Sequence, residues 1–422
     1  MHNPMPRPLP PPVTTAVLSV KCIESPRSPH PDGDTSGPRV SGRGPDPSSL
    51  GSDHGGDGTV RGVTGRPRKP VLDAAAYVPG KSPDTGPGAP GPTPVIKLSS
   101  NERNLPPSAA ALDAATVAAE TANRYPDNRS DRLRRALAGE LGVGIDNLAV
   151  GCGSSGLLQQ IVQAFVEPGV SVVYPWRSFE LYPILVGLAG GSAITVPLVE
   201  HGFDTAAIVA AVEDSTALVL LANPNNPTGT LLEKAELEHL VESLPDDVIA
   251  VVDAAYHEYT GQGEEMLVTL VSDHPNVIVT RTFSKAHGLA GMRVGWALAS
   301  EELIGYLHTT QLPFTVNSVA QAAAEAALAD SSSLDRHVAE CVSERERVSA
   351  SLSDLGWNAV ESRANFVWID TPGATDLAVE LERRGVIIRP FAGEGIRVTI
   401  GSPEENDAFL SAVSELVPQT GT

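Results

Sequence analysis

An α/β architecture is predicted for this chain: an open, mostly parallel sheet with helices on both faces, followed by a smaller α+β domain. Three observations predict it. Seven short apolar runs alternate with longer amphipathic stretches between about 148 and 298. Strand-helix alternation of this kind specifies a doubly covered sheet. Past Tyr306 the texture changes to a long Ala-rich helical region followed by three short apolar runs.

The expected strands of the large sheet are 148–150, 170–174, 193–196, 217–222, 248–252, 277–280 and 294–298. Helices are expected at 130–141, 155–166, 178–188 and 234–244, where apolar residues recur at helical spacing. In the C-terminal part, helices are expected at 318–328 and 335–355, and strands at 365–369, 386–389 and 396–400. The resulting organisation is a leader (1–66), an N-terminal segment joining the small domain (67–124), a large domain (125–308) and a small C-terminal domain (309–422).

The leader is set apart by composition. Of its 66 residues, 12 are Pro and 10 are Gly, and it has scarcely any apolar periodicity. Such a stretch cannot bury enough surface to offset its backbone entropy, so disorder is expected. After Met5 the next methionine is Met266. The leader is therefore expected to be either a dispensable tail or a product of start-site choice, with Val60 or Val63 as alternative starts.

The leader holds 7 Lys+Arg and 6 Asp+Glu, so the overall net charge of −21 becomes −22 for the remainder of the chain. An acidic body repels phosphate backbones and anionic lipid, which argues against nucleic acid or a membrane surface as partner. No apolar run approaches the roughly 18 residues needed to span a bilayer. Cys22, Cys152 and Cys341 are too few and too scattered for a disulfide framework or a metal knot, so a reduced, cytoplasmic protein without a metal site is expected.

In open α/β sheets ligands bind beyond the carboxyl ends of the strands. Four such ends carry chemistry. Gly151-Cys152-Gly153-Ser154-Ser155-Gly156 opens a helix and can cradle a phosphate on backbone N–H groups, although a plain strand-to-helix turn has the same composition. Asn223-Pro224-Asn225-Asn226-Pro227-Thr228-Gly229 is either an ordinary turn or a rigid loop that fixes an amide side chain. Asp253 ends five apolar positions and is either a half-buried carboxylate that needs a cation or donor, or a helix cap. Lys285, one of only 6 lysines, follows a buried strand within Thr282-Phe283-Ser284-Lys285. Desolvation there lowers a lysine's pKa and makes it a Schiff-base nucleophile; a surface lysine is the plainer alternative.

Taken together, and with Ser99-Ser100-Asn101-Glu102, Arg124-Tyr125-Pro126-Asp127, Asp253-Ala254-Ala255-Tyr256, Gly288-Leu289-Ala290-Gly291-Met292-Arg293 and Arg397-Val398-Thr399-Ile400-Gly401, these segments resemble the pyridoxal-phosphate aminotransferases of fold type I. More narrowly, the chain is similar to the histidinol-phosphate aminotransferase group, from about Arg68 onward. The resemblance implies pyridoxal 5'-phosphate as cofactor, with Lys285 forming the internal aldimine. It places Asp253 against the pyridine nitrogen, Asn226 and Tyr256 on the ring 3-oxygen, and Phe179 stacked on the ring. Gly153, Ser154, Ser155, Thr282 and Arg293 would hold the cofactor phosphate. Tyr125 would reach it from the other subunit, which implies a homodimer. Arg397 is the expected clamp for the substrate carboxylate, with Asn365 and Asn101 beside it. The implied reaction is a ping-pong exchange between an amino acid and an oxo acid, 2-oxoglutarate being the expected second substrate.

Two segments bear on specificity. Gly151-Cys152-Gly153-Ser154 and Trp176-Arg177-Ser178-Phe179-Glu180 depart from the pattern common in histidinol-phosphate enzymes and resemble the actinobacterial aromatic amino acid aminotransferases. Phenylalanine and tyrosine are therefore the expected substrates, with histidinol phosphate as the alternative. A phosphothreonine decarboxylase shares most of these motifs. A DNA-binding regulator would need a helix-turn-helix pattern or basic excess that the leader lacks.

Overall fold

The seven apolar runs between 148 and 299 assemble into one sheet. The computed structural model describes residues 67–83 and 95–416; the expected disordered leader lies outside the described residues. A short strand β1 (Ile96–Lys97) precedes β2 (Leu148–Gly151), β3 (Ser171–Trp176), β4 (Ser192–Pro197), β5 (Thr216–Ala222), β6 (Ile249–Asp253), β7 (Val277–Thr282) and β8 (Gly295–Ala299). Strands β2 to β8 lie in the order β2-β8-β7-β6-β5-β3-β4, and β8 is antiparallel to both its neighbours while the other pairs are parallel.

Alternation along each strand divides the core. Val219 and Leu221 of β5 pack on one face with Val252 and Val279, whereas Leu218 and Leu220 pack on the other with Val251 and Ile278. Both faces are covered, which is why these strands read as continuous apolar runs instead of alternating ones. The expected mostly parallel seven-stranded sheet is thus present, with strand ends within about two residues of their expected positions.

The C-terminal part contains β9 (Ala359–Val360), β10 (Phe366–Asp370), β11 (Val386–Ile387), β12 (Arg389–Phe391) and β13 (Gly395–Thr399). The expected single strand at 386–389 is two strands. β11 pairs in parallel with β1, and after Ile388 the chain moves to the edge of an antiparallel sheet ordered β12-β13-β10-β9. Pro390 fits that edge position because it has no N–H to give to a further strand. Here glycine is required on packing grounds: a Cβ at Gly395 would lie 2.6 Å from the Ile369 carbonyl oxygen and press into the Trp368 indole. Gly395→Ala is expected to lower stability by about 1–3 kcal/mol through overpacking, read as a reduced denaturation midpoint.

Core contacts do not follow the boundaries expected from sequence texture. The helices Ala109–Ala119 and Ser318–Ala329 pack on each other, and Ala111, Ala115, Ala320 and Ala324 join the core on the Val219 face of the large sheet. Alanine faces let helix axes approach closely, so this pair seals the sheet although both helices flank the central 125–308 span. A separate core gathers Leu98, Phe366, Val398 and Phe409 and also takes in Tyr256 and Ala286 from the loops after β6 and β7. Among the described residues no helix is long and apolar enough to cross a membrane, and no group of three or more His, Cys, Asp or Glu side chains is placed to hold a metal ion.

Candidate active site

A cavity of about 450 Å³ opens where the carboxyl ends of β5, β6 and β7 meet the C-terminal part of the chain. Ala222, Asp253 and Thr282, the last residues of those strands, line it, as do Ser154 and Ser155, Phe179, Asn226, Tyr256, Lys285, Arg293, Asn101 and Arg397. Eleven of the fourteen residues singled out in the sequence therefore face one space: those named here apart from Ala222.

At its floor, Asp253 is 5% exposed, and the Thr280 hydroxyl donates to its Oδ1 at 3.1 Å. Burial raises the Asp253 pKa to about 6, against the Thr280 hydrogen bond and the Lys285 charge, which lower it. Lys285 is half-buried and its Nζ reaches the Ser100 carbonyl oxygen at 3.5 Å. Desolvation, with the positive charges of Arg397 and Arg293, brings the amine down to about 8; Glu102 and Asp253 oppose this. A sizeable fraction of Nζ is then neutral near physiological pH, as nucleophilic attack requires.

One wall is built from polar side chains that fix each other. Asn101 Nδ2 donates to the Tyr256 hydroxyl oxygen at 2.9 Å, which leaves the Tyr256 proton free to be donated into the cavity. Burial holds Tyr256 at about 12, so it remains a donor throughout the neutral range. Arg397 Nη1 donates to Asn226 Oδ1 at 2.6 Å and Nη2 to the Ser99 carbonyl oxygen at 2.8 Å. The Asn226 amide is thereby oriented with its Nδ2 free. Arg397 is 8% exposed, forms no salt bridge among the described residues, and its Nε has no partner there. A buried cation without a counter-ion is costly, so this guanidinium is poised for an anionic ligand.

Ser154, Ser155, Thr282 and Arg293 line another part of the cavity. The helix Gly153–Phe165 begins two residues after β2, with Gly153 at φ +71°, and its first turn brings Ser154 and Ser155 to the cavity wall. A Cβ at Gly153 would stand 2.6 Å from Arg293 Nη2. Arg293, itself at φ +57°, is held by hydrogen bonds from Nη1 to Ser284 Oγ (3.2 Å) and the Ala290 carbonyl oxygen (2.9 Å). Glycine at 153 leaves room for the guanidinium tip, and its positive φ is a backbone conformation that favours glycine.

Three expected residues do not line the cavity. Gly153 is one of them, although its neighbours Ser154 and Ser155 do line it. Asn365 is 2% exposed and donates from Nδ2 to the Asn101 carbonyl oxygen at 3.2 Å, so it stands behind Asn101. Tyr125 is 82% exposed and stacks on Phe314 with ring centroids 4.5 Å apart, away from the cavity of its own chain. Conversely, Tyr77, Glu180, Arg389 and Phe391 line the cavity and were not foreseen there. Tyr77 lies in a stretch without periodicity, and the position of Arg389 depends on the pairing of β12 with β13. Behind Lys285, Arg281 is buried between Glu258 (2.8 Å) and Glu264, tying β7 to the loop that carries Tyr256.

The cavity thus brings a lysine, a buried carboxylate and an arginine without a counter-ion together at the carboxyl ends of an open sheet. Residues 93–413 match the family described as aminotransferase class I and II, and the chain belongs to that family. It is 45% identical to an aromatic amino acid aminotransferase of Rhodococcus jostii (strain RHA1), over 83% of this chain and 95% of that one. It is 48% identical to another of the same name from Thermobifida fusca (strain YX), over 75% of this chain and 88% of that one. Among solved structures, histidinol-phosphate aminotransferase from Sinorhizobium meliloti in complex with pyridoxal-5'-phosphate superposes with a TM-score of 0.72 at 32% identity, covering 76% of this chain and 91% of that one.

Proposed function

We propose that this aminotransferase exchanges the amino group of phenylalanine or tyrosine with 2-oxoglutarate, using pyridoxal 5'-phosphate. The observation that carries the reading is the placement of Lys285 and Asp253 in one cavity with Ser154, Ser155 and Arg293. These groups fit the cofactor's three functions: an aldehyde for a neutral amine, a basic ring nitrogen for a buried carboxylate, and a phosphate for a helix N-terminus with an arginine. When bound, the cofactor supplies an electron sink for the substrate Cα–H bond.

The chain's own groups do the rest. Lys285 Nζ takes the Cα proton of the amino acid and returns a proton, a role suited to an amine whose pKa lies near the working pH. Asp253 favours a protonated nitrogen facing it. Tyr256 and the Asn226 amide donate to a phenolic oxygen at the adjacent ring position. Ser154, Ser155 and Thr282 add donors at the phosphate end, and Phe179 offers a ring face for stacking. Arg397 binds the substrate carboxylate, and Asn101, braced by Asn365 and by Thr399 at 2.9 Å, completes that wall. The exposure of Tyr125 supports its insertion into the site of a second copy in a homodimer, for which sedimentation velocity is the test.

The substrate assignment is tested by comparing kcat/KM for phenylalanine, tyrosine and histidinol phosphate, with parallel double-reciprocal plots expected for ping-pong exchange. A marked preference for histidinol phosphate would overturn it. The lowered Lys285 pKa gives a separate prediction. Capture of pyridoxal phosphate by cofactor-free protein should accelerate as pH rises through about 8, because the neutral amine fraction increases. Stopped-flow absorbance checks this; a rate independent of pH across that window would contradict the role of the amine.

A further inference from the structure

The inference concerns substrate selection and rests on the aromatic reading above. In the pairing of β12 with β13, Arg389 lies directly opposite Arg397, so two guanidinium groups reach the same end of the cavity. Their partners differ. Arg397 has only neutral oxygens, those of Asn226 and Ser99. Arg389, with its side chain 11% exposed, donates from Nη2 to Glu180 Oε2 at 2.7 Å and to the Val78 carbonyl oxygen at 2.9 Å, and from Nη1 to the Pro79 carbonyl oxygen at 3.0 Å.

Two unpaired arginines side by side would suit a dianionic group. One unpaired arginine suits a carboxylate, which every amino acid brings. We infer that Glu180 is a specificity-determining residue: it holds the charge of Arg389 and leaves Arg397, among the described residues, as the one free cation at that end of the cavity. A phosphorylated substrate whose phosphate takes the place of the amino-acid carboxylate, with about −1.5 to −2 charges, then meets a carboxylate where it needs a second cation. The singly charged carboxylate of phenylalanine needs only Arg397, and its uncharged ring adds no repulsion. The discrimination works mainly by a repulsive element against the wrong substrate. Glu180 belongs to the Trp176–Glu180 string, so the string carries a physical role beyond placing Phe179.

The test uses the holoenzyme with one oxo acid at a fixed saturating concentration, so that only the amino donor varies. Glu180→Gln keeps the side-chain shape and removes the charge. The ratio of kcat/KM for histidinol phosphate to that for phenylalanine should rise ~10-fold or more, and the double variant E180Q/R389Q should lose that gain, since it runs through the freed Arg389. An unchanged ratio in E180Q, or a gain that survives in the double variant, overturns the inference. Should E180Q lose its native circular dichroism or its cofactor absorbance, E180S is measured by the same ratio. A wild-type enzyme that prefers histidinol phosphate overturns the aromatic reading instead, and that outcome is visible before any variant is made.

Discussion

Replacement of Lys285 by alanine is expected to reduce turnover of phenylalanine by ~10⁴-fold or more, since one change removes both the nucleophile and the proton carrier. The near-visible absorbance that accompanies cofactor attachment should disappear as well. The fold should survive: Lys285 makes no ion pair among the described residues, and its one hydrogen bond, to the Ser100 carbonyl oxygen, is long at 3.5 Å. Removing an amine that is costly to bury leaves no orphaned partner of its own. Circular dichroism separates loss of chemistry from loss of structure. A variant that keeps both turnover and absorbance would remove Lys285 from the mechanism.

Asp253→Asn is the second large effect. The amide is nearly isosteric and its oxygen can still accept from Thr280, so packing at the floor of the cavity is preserved. What disappears is the negative charge that favours a protonated nitrogen facing it. Loss of one buried electrostatic partner of this kind costs ~10²–10³-fold in kcat. Cofactor retention should fall much less, because the cradle of Gly153, Ser154 and Arg293 is untouched. Spectrophotometric titration with pyridoxal phosphate distinguishes the two. A variant with wild-type kcat would show that the carboxylate does not act on the ring nitrogen.

Much of this was legible in the sequence, for reasons that differ from residue to residue. Lys285 and Asp253 stand out because each follows a run of buried apolar residues, where a charged group is costly and so marks a site. The helix Pro403–Ser414 was legible but not anticipated: Ser402 and Glu405 form a reciprocal capping box, with the Ser402 N–H donating to Glu405 Oε2 at 2.8 Å. Asn365 was placed at the substrate by its motif, yet its geometry puts it behind Asn101. A neighbour in sequence pattern does not reveal which of two stacked amides faces the cavity.

By itself, the sequence determined the parallel sheet, the strand ends that carry chemistry, and the family. Those depend on local burial and on spacing along the chain, both of which survive in a linear string. Only the tertiary structure decided the company each residue keeps. The opposition of Arg389 and Arg397 follows from the register of β12 on β13, the Glu180 contact from the packing of a loop more than two hundred residues away in sequence, and the approach of Arg293 to Gly153 from the meeting of the loop after β7 with the start of the helix after β2. Each is a meeting of distant segments, fixed by how the two cores close on each other and not by any periodicity a single segment carries.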